Sequence, residues 1–518
     1  MFAEGVAALE ASDYGRAESL FESIVAAQPR LHAAWNALSV VAVRAGSPEV
    51  AAERARRALE LDRRNPLYLN SLGVACGELH DFAAAETQFR RALKQKPDYA
   101  EAHYNLGKLL HKKMKLADSL RAFERAYAMA PDLPGVRVSF AHLQLMLGHP
   151  ARALELLRES PGAITDRVAT DLMRYCIEQL QGEDAAAEYL KSEISGHPDV
   201  PTLRTTLAFS LLGVGRWREG WESYLWRPGS AAEHRAPSAV RILPRSLAGE
   251  KILLHAEQGL GDVLFFLRFA AELRARGAHV ALRCGPRLAR LLAASDAIDQ
   301  CLVDDSSAPH PRGFDHALWI GDLPWALEAD GCPPPVALRC DAEIRNRVRS
   351  ALAAFGPPPY LGMLWRAGTD MLRSREFGNR QDALSKEVPS AALGRAVRGW
   401  KGTLLSLQRD PYPGELEGVR SSAGASVTDV AGFSADLLEL LALLELLDEY
   451  VAVSSTNIHM RAGIGKTAHV LVPYPAEWRW MRGGAQSPWF PGFSLYRQRT
   501  FTEDWAEPLA RLRRDLIG

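Results

Sequence analysis

The sequence has few cysteines, and no pattern among them suits a metal. The six are scattered and include no C-x-x-C pair: Cys76, Cys176, Cys284, Cys301, Cys332 and Cys340. A disulfide framework and a structural zinc site are therefore not expected. This use of cysteine is typical of a reducing compartment, so we expect a cytoplasmic protein. The predicted strand ends of the second half also present no Asp-x-Asp motif, so no metal is expected in the functional site.

Long apolar runs, a recognisable signal-peptide pattern and an excess of charge of one sign are also not visible in the sequence. No apolar run reaches the roughly 20 residues that a membrane span requires. The N-terminus, Met-Phe-Ala-Glu-Gly-Val, lacks the basic and apolar regions of a signal peptide. Lys plus Arg equals Asp plus Glu, 62 each, so no overall field attracts nucleic acid or an anionic membrane. We expect neither of these partners, and no feature indicates an oligomeric state.

What is present divides the chain into regions with different patterns. At 518 residues the chain is long enough for about three domains of roughly 150 residues each. The pattern is repetitive over residues 1–229 and alternates between strands and helices from 249 onwards, with a Pro/Arg/Ser-rich connector at 230–248. A proline-rich interruption divides the second part into 249–350 and 351–518.

The first region repeats with a period of 34 residues. Glycine, phenylalanine, alanine and proline recur at this interval or its double, as in Gly73/Gly107, Phe89/Phe123, Ala92/Ala126 and Pro97/Pro131. Gly5 and Phe21 fit the same register. This pattern resembles the tetratricopeptide repeat, in which small residues let two helices pack closely. It predicts an all-α solenoid over 1–229, with helix pairs continuing through 136–158, 166–196 and 202–226.

Two features of the solenoid suggest contacts. Asn36 and Asn70 occupy equivalent repeat positions and could hold the extended backbone of a protein acceptor, although a solvated polar face would explain them equally well. An aromatic cluster at Trp217, Trp221 and Tyr224 could be a ligand platform. We favour the alternative, in which the cluster covers the exposed apolar end of the solenoid.

The second region alternates short apolar runs with helical stretches. Predicted strands lie at 251–255, 278–283, 300–303, 315–320, 360–365, 403–407, 427–430, 449–454 and 468–473. Strands separated by helices predict two parallel α/β sheets with a cleft between them. Ligands of such sheets bind beyond the carboxyl ends of the strands, and the leucine-rich stretch 437–447 is predicted to be a buried helix.

Two strand ends carry the residues that are best suited to ligand binding or catalysis. After strand 251–255, a turn with Gly259 and Gly261 opens a helix at Asp262, where backbone N–H groups and a carboxylate meet. An acidic residue in a first helical turn is also favoured by the helix dipole alone, so capping and chemistry both remain open for Asp262. After strand 449–454, four small polar residues open another helix: Ser454, Ser455, Thr456 and Asn457. They offer more donors than capping requires, which favours phosphate binding. His459, one turn further on, could contact the same ligand or be an interior histidine.

These elements resemble a known family. The strand–Gly-Leu-Gly-Asp–helix element, the segment Lys386-Glu-Val-Pro389 and the Ser-Ser-Thr-Asn-Ile-His turn are similar to the heptosyltransferase-like group of GT-B glycosyltransferases (family 9-like). The tail at 473–480 and 487–491 resembles a subgroup with N-terminal tetratricopeptide repeats. Some bacterial enzymes of this architecture are implicated in adding sugars to flagellin. The resemblance covers essentially the whole chain and implies two Rossmann-like lobes, with 249–350 on the acceptor side and 351–518 on the nucleotide-sugar side.

The resemblance also implies roles for single residues. Asp262 matches the aspartate that acts as general base in an inverting transfer, and Lys386 matches a lysine that offsets charge on the departing phosphate. His459 matches the histidine of the family's Asp-Thr-Gly-x-x-His turn. The sequence departs from the family where Ser454 replaces the aspartate, Thr456 replaces the glycine and Val388 replaces an aromatic residue. The type of sugar (hexosyl, heptosyl or nonulosonyl) therefore does not follow, and a nucleotide sugar is expected as co-substrate without any other cofactor.

Further residues are candidates for ligand contacts, and three functions stay open. Arg366 could pair with a donor phosphate, Gln258 could contact the acceptor, and Trp478, Arg479 and Trp480 could stack on a base or sugar or pack between the lobes. The first functional hypothesis is a glycosyltransferase whose repeats dock a protein acceptor, with flagellin as a candidate. The second is a non-catalytic scaffold with a degenerate nucleotide-sugar lobe, and the third is a transferase that acts on a cell-surface glycan.

Overall fold

The protein divides into two compact units. A computed structural model describes residues 1–227, 240–304, 313–367, 386–500 and 504–518. Unit 1 comprises residues 1–180, and unit 2 comprises the described residues from 181 onwards. Within these described segments, none of the helices combines the length and apolar character needed to cross a bilayer.

Unit 1 consists of antiparallel helix pairs. The helices are α1 (Phe2–Glu10), α2 (Tyr14–Ala27), α3 (His32–Arg44), α4 (Pro48–Leu61), α5 (Pro66–Glu78), α6 (Phe82–Gln95), α7 (Ala100–Lys112), α8 (Leu116–Met129), α9 (Val136–Met146), α10 (Pro150–Arg158) and α11 (Arg167–Gln181). Side chains cap several of these helices, as where the Asp81 carboxylate accepts a hydrogen bond from Ala84 N at 2.9 Å. The predicted helical solenoid is confirmed.

The glycines of the 34-residue period allow the two helices of a pair to pack closely. A Cβ atom added to Gly73 would lie 2.6 Å from the Phe89 ring, and one added to Gly107 would lie 2.8 Å from the Phe123 ring. Both rings are fully buried. Glycine on the first helix therefore makes room for phenylalanine on the second, which explains why the two residue types repeat with the same interval.

One helix pair uses a different solution at the same positions. Ser39 on α3 takes the place of the glycine, and Ala55 on α4 takes the place of the phenylalanine. Both are fully buried, and the Ser39 hydroxyl donates to the backbone oxygen of Ala51 at 2.8 Å. A larger residue on one helix is thus matched by a smaller one on the other.

Unit 2 begins with further helices and continues as two sheets with helices. The elements are α12 (Glu183–Gly196), α13 (Pro201–Gly213), α14 (Trp217–Tyr224), β1 (Lys251–His255), α15 (Leu260–Phe266), α16 (Ala270–Ala275), β2 (His279–Cys284), α17 (Pro286–Leu292), β3 (Gln300–Val303), β4 (His316–Trp319), α18 (Leu323–Ala326), α19 (Ala342–Ala353), β5 (Tyr360–Leu364), α20 (Ser390–Ala396), β6 (Thr403–Ser406), α21 (Glu415–Ala423), β7 (Val427–Asp429), α22 (Leu437–Leu446), β8 (Glu449–Val453), α23 (Thr456–Gly463), β9 (His469–Val472), β10 (Ser494–Arg497) and α24 (Ala506–Ile517).

The strands of unit 2 form two parallel sheets. The first has the order β3-β2-β1-β4 and the second the order β10-β9-β8-β5-β6-β7. Each ladder is parallel, as where Leu253 pairs with Ala281 and Leu361 pairs with Glu449. The central strand β5 is buried along its whole length, which is typical of a parallel strand covered on both faces. The predicted α/β region with parallel sheets is confirmed.

The strand boundaries agree with the sequence predictions to within two residues, with one strand missed. Each of the predicted strands corresponds to one of β1 to β9. The tenth, β10, follows the proline-rich tail and was not predicted. The leucine-rich stretch forms α22 and buries Leu437, Leu440 and Leu444 among others, so that prediction is confirmed.

The tryptophan cluster requires a correction. Trp221 is almost fully buried, and its ring contacts the edges of Phe266, Phe269, Trp478 and Trp489 at centroid distances of 5.6–6.1 Å. The helices α13 and α14 therefore pack into the core of the α/β unit. The cluster is neither an open ligand platform nor a cover for the exposed end of the solenoid. The predicted domain limits at 229, 248 and 350 remain predictions.

Candidate functional site

The candidate site lies where strands of both sheets end. Strand β1 ends at His255 and leads into α15, which begins at Leu260, while β8 ends at Val453 and leads into α23, which begins at Thr456. Both turns follow the carboxyl ends of parallel strands, which is where ligands of such sheets bind. A third loop, 473–481, follows the end of β9, next to β8.

The two predicted turns meet each other. A Cβ atom added to Gly261 would lie 3.2 Å from Cδ2 of His459 and 3.4 Å from Oγ1 of Thr456. The helices α15 and α23 also pack together. The absence of a side chain at Gly261 is therefore what allows the turn that carries Asp262 to approach the 454–459 turn.

Asp262 makes two polar contacts, one local and one distant. Its Oδ2 accepts a hydrogen bond from the backbone N–H of Gly259 at 3.2 Å, which caps the start of α15. Its Oδ1 accepts from Arg479 Nη2 at 2.6 Å. The capping role that the sequence left open is thus present, and it coexists with an ion pair to the loop after β9.

The ion pair of Asp262 continues into a row of alternating charges. Arg479 also donates from Nη1 to Oε1 of Glu477. Lys386 Nζ lies 2.8 Å from Oε2 of Glu477, and the Ser454 hydroxyl donates to the same oxygen at 2.9 Å. We call Asp262, Arg479, Glu477 and Lys386 the charge row. It connects the base predicted from the sequence with the lysine predicted to bind phosphate.

Of the inner members of the charge row, Arg479 is buried and Glu477 is nearly so, whereas the two outer members are accessible. The exposed fractions of the side chains are 37% for Lys386, 13% for Glu477, 9% for Arg479 and 30% for Asp262. One end of the row therefore offers a cation to a ligand, and the other end offers a carboxylate.

The charges of the row stabilise one another. Burial by itself would raise the pKa of Glu477, but Lys386 and Arg479 hold it well below its usual range. Burial by itself would lower the pKa of Arg479, but Asp262 and Glu477 keep it above the usual value. Both inner residues are therefore ionised at neutral pH, since each provides the counter-charge that the other needs.

His459 is buried beside the charge row. Its ring packs edge-on against Phe265 and Phe490 at centroid distances of 6.0 and 5.3 Å. Burial and the nearby cations Arg479 and Arg268 lower its pKa well below the ordinary value, so the imidazole is neutral. Its Nδ1 has no hydrogen-bond partner among the described residues.

Arg268 adds a buried cation that lacks a carboxylate partner in the described chain. Its guanidinium donates to three backbone oxygens, those of Phe265, Pro333 and Trp489, at 3.0–3.1 Å. Burial and the repulsion from Arg479 lower its pKa to about 9. It is still a cation at neutral pH, because this value lies two units above neutrality.

The site therefore has a surplus of positive charge. The charge row contains two cations (Lys386 and Arg479) and two carboxylates (Asp262 and Glu477), Arg268 adds a third cation close to Arg479, and His459 is neutral. Such a balance favours an anionic ligand, since a buried charge needs a partner. No group of three or more potential metal ligands occurs among the described residues.

The remaining predicted residues of the 454–459 turn have structural contacts. Ser455 occupies the cap position before α23. Thr456 begins the helix and faces Gly261. Asn457 donates from Nδ2 to the Tyr450 hydroxyl at 3.0 Å, which directs its side chain towards strand β8. The donor-binding roles assigned to these residues remain predictions.

Arg366 belongs to a different cluster from the charge row. It follows β5, stacks over the Tyr412 ring at 3.7 Å, and donates to the Asp410 backbone oxygen and to Glu415 at 2.9 and 3.1 Å. The backbone N–H of Arg366 donates to the side-chain oxygen of Gln408. Its guanidinium is thus already paired with a carboxylate, and the predicted phosphate contact would require that pair to open.

Gln258 is fixed by a neighbouring buried network. Its backbone is left-handed, with φ of 61°, and its amide lies 3.3 Å from the Tyr224 hydroxyl. The adjacent Glu257 accepts hydrogen bonds from Arg227, which also donates to Asp322 at 2.9 Å. This network anchors the turn that precedes Asp262, and the acceptor contact predicted for Gln258 remains a prediction.

Asn36 and Asn70 lie in unit 1 and are both buried. The Asn70 side-chain oxygen accepts a hydrogen bond from Asn105 at 3.1 Å, and Oδ1 of Asn36 lacks a partner among the described residues. The alternative in which they form a solvated polar face is therefore wrong. Their predicted contact with an acceptor stays a prediction.

The sequence did not identify Glu477 and Arg268 as members of the site, and it considered Arg479 only for stacking or packing. One signal was available for the first of them, because Glu477 and Arg479 are oppositely charged and closely spaced in a loop that follows a predicted strand. The neighbouring Trp478 and Trp480 pack in the core, as the packing alternative predicted; Trp480 stacks on Phe490 at 4.7 Å.

Comparison with known proteins identifies the repeats. The tetratricopeptide repeat family matches residues 2–66 and 71–134. Together with the helix pairs of unit 1, this match confirms tetratricopeptide repeats in the N-terminal part of the chain. The chain is also similar to "Protein FlbA" of Caulobacter vibrioides, with 23% identity over 528 residues that cover 95% of this chain and 86% of that protein.

Similar solved structures include Pseudomonas aeruginosa pilF, PilW and YrrB. Pseudomonas aeruginosa pilF is 22% identical, with a TM-score of 0.34, and the match covers 39% of this chain and 93% of that one. PilW, described as a type IV pilus biogenesis factor, is 21% identical, with a TM-score of 0.36 and coverage of 40% and 96%. YrrB, described as a tetratricopeptide protein with an unusual peptide-binding site, is 18% identical, with a TM-score of 0.29 and coverage of 35% and 95%.

Proposed function

We propose that unit 2 is an inverting glycosyltransferase of the GT-B type that uses a nucleotide-sugar donor. The observation that supports this proposal most strongly is the meeting of the Asp262 turn with the 454–459 turn at the carboxyl ends of two parallel sheets. Lys386 and the cation surplus nearby suit a diphosphate, and Asp262 supplies an accessible carboxylate.

In the proposed reaction the Asp262 carboxylate accepts the proton of an acceptor hydroxyl. The hydroxyl oxygen then forms a bond to the anomeric carbon of the sugar, while the bond from that carbon to the diphosphate breaks and the anomeric configuration inverts. The nucleoside diphosphate departs with the bonding electrons. Lys386 and Arg268 stabilise the negative charge that develops on it.

We infer that unit 1 binds the acceptor. Tetratricopeptide solenoids present a concave surface that is suited to proteins and peptides, and a transferase acting on a free glycan would leave this unit without a role. The acceptor is thus proposed to be a protein hydroxyl, with flagellin as the first candidate to test. The reaction is proposed to take place in the cytoplasm, where nucleotide sugars are available.

The experiment that tests this proposal measures sugar transfer to candidate acceptors by the increase in intact protein mass. A thermal-shift panel of nucleotide sugars first identifies the donor, because a ligand stabilises the folded state according to its affinity. Asp262→Asn is expected to lower transfer by at least about 100-fold, the effect of losing a general base. It is expected to bind the donor at least as tightly as the wild type does.

The matched control is Glu272→Gln, which neutralises an exposed acid on α16 in the same lobe. This variant is expected to transfer sugar at the wild-type rate. If Asp262→Asn kept near-wild-type turnover, the assignment of Asp262 as the base would be wrong.

One structural observation favours the second candidate, a scaffold with a non-catalytic lobe. Both carboxylate oxygens of Asp262 are already engaged, by Gly259 N–H and by Arg479, and Ser454 stands where the resembling family has aspartate. The scaffold hypothesis predicts donor binding without either transfer or donor hydrolysis. Release of nucleoside diphosphate by the wild type would exclude it.

A further inference from the structure

The charge row connects two accessible groups through two buried ones. In the proposed function, Lys386 binds a phosphate and Asp262 binds a hydroxyl, but the two side chains do not touch each other. Each instead contacts a buried residue of opposite charge, Glu477 for Lys386 and Arg479 for Asp262. The buried residues contact each other, so a change at one end alters the contacts of the next member.

Glu477 has three donors that share its two oxygens. Oε2 accepts from Lys386 and Ser454, and Oε1 accepts from Arg479. If Lys386 moves to a phosphate, Glu477 loses one of two cations and must be neutralised by the other. A buried carboxylate is costly without a counter-charge, so its attraction for Arg479 increases.

Arg479 in turn divides its donors between two carboxylates. Nη1 donates a hydrogen bond to Glu477, and Nη2 donates one to Asp262. A stronger electrostatic attraction to Glu477 moves the Arg479 guanidinium towards that carboxylate and weakens the ion pair between Arg479 and Asp262. The carboxylate is then available to accept a hydrogen bond from an acceptor hydroxyl.

We propose that Glu477 and Arg479 are positioning residues that couple phosphate binding at Lys386 to release of Asp262, so that the donor must bind before Asp262 can serve the acceptor. This inference rests on the proposed function, and it adds an order of binding to it. Neither Glu477 nor Arg479 need touch the reacting atoms. Ser454 also has a role in this account, because its hydroxyl stabilises Glu477 after Lys386 has left.

The coupling is testable with inorganic pyrophosphate as the probe and titration calorimetry on the full chain. Asp262→Asn removes the negative charge at the far end of the charge row. The Arg479 guanidinium then interacts more strongly with Glu477, and the ion pair between Glu477 and Lys386 becomes weaker. Pyrophosphate is expected to bind about three- to tenfold more tightly to this variant, which lies in the lower part of the range of coupling between residues of one network. In a Glu477→Gln background the same change at Asp262 is expected to alter the affinity less than twofold.

The comparison between backgrounds separates coupling through the row from a direct electrostatic effect of Asp262 on the ligand. A direct effect would be equal in both backgrounds, and that result would overturn the inference while leaving the phosphate site intact. An unchanged affinity in Asp262→Asn alone would overturn it as well. Lys386→Gln is the control for the site itself and is expected to lose pyrophosphate binding in every background.

A second variant guards against misfolding of Glu477→Gln. Arg479→Lys keeps the positive charge but lacks the two parallel donors that serve both carboxylates, so it is also expected to abolish the effect of Asp262→Asn. Melting curves establish that each variant is folded before titration. If the folded wild-type chain binds no pyrophosphate, the proposed phosphate site and this inference both fail, whereas binding without background dependence rejects the inference alone.

Discussion

The two units satisfy their buried polar groups in different ways. In unit 1 the partners are close along the chain, as where the Ser39 hydroxyl bonds the Ala51 backbone 12 residues away. In unit 2 the partners come from distant elements, as where Arg479 pairs with Asp262, 217 residues before it. Unit 1 is fixed by contacts between successive helices, whereas unit 2 depends on loops that only the complete sheets bring together.

This difference separates stability from function. A repeat whose contacts are local can lose or change one pair of helices and keep the rest, and its packing residues recur. The charge row occurs once, and its ionised inner members are buried at some cost in stability. Functional sites are where such costs are expected. We therefore expect the two units to respond differently to substitution.

The largest effect is expected for Glu477→Ala in unit 2. This change leaves Arg479 without one counter-charge in a buried position, and breaking a buried ion pair in this way costs about 3–5 kcal/mol. The local free energy of opening, measured by hydrogen exchange in the segments around β8 and β9, should fall by about this amount, while exchange in unit 1 should not change. A decrease in the free energy of opening smaller than 1 kcal/mol would show that solvent already screens the charges of the charge row.

A smaller effect is expected for Gly107→Ala in unit 1. The added methyl group would overlap the Phe123 ring, and overpacking of a core typically costs about 1–3 kcal/mol. Gly15→Ala is the matched control, because a Cβ atom there meets nothing within 4 Å. Hydrogen exchange in α7 and α8 should accelerate in the first variant only. Equal exchange in both variants would refute the packing role of the repeated glycine.

A pH-dependent effect is expected from His142 on α9. Burial, and then the neighbouring His111, lowers its pKa to about 3 in the folded state, against 6.5 for the unfolded chain. The unfolded state therefore binds the proton first, and stability present above pH 6.5 is lost as the pH falls below it. Between pH 7 and 5.5 the wild type should lose roughly 1 kcal/mol more than His142→Phe. Parallel losses in urea titrations of the two proteins would contradict this.

The smallest effect is expected for Ser39→Ala. The change removes one buried hydrogen bond to the Ala51 backbone, and the free energy of opening around α3 and α4 should fall by about 0.5–1.5 kcal/mol. Ser19→Ala is the control, since its hydroxyl bonds the backbone of Gly15 at an exposed position. This control should be neutral, and a larger loss there than at Ser39 would count against a burial effect.

The sequence predicted the elements of both units well, because periodicity is a local property. The 34-residue spacing of Gly73, Gly107 and their partners predicts helix pairs, and short apolar runs such as 449–453 predict buried strands. Strand β10 was missed because Ser494–Arg497 is short and follows a loop rich in proline and aromatic residues. The packing of Trp221 against the core of the α/β unit was also missed, since an apolar residue pattern indicates burial but does not identify the residues that cover it.

The candidate site could be predicted only in part. Strand ends and small residues identify the turns at 257–262 and 454–459, and the structure brings these turns together. The ion pairs of Glu477 with Lys386 and of Arg479 with Asp262 could not be inferred from one sequence, because no local pattern encodes contacts between residues that lie 91 or 217 positions apart. The charge row therefore emerges only from the fold.

The measurement that tests the central claim most directly is nucleoside diphosphate release from a panel of nucleotide sugars by the full chain. It requires no knowledge of the acceptor, because water can replace the acceptor hydroxyl. The account predicts release from at least one donor and a decrease of about 100-fold or more in Asp262→Asn. Release at the same rate by both proteins, or release by neither although a donor binds, would contradict it.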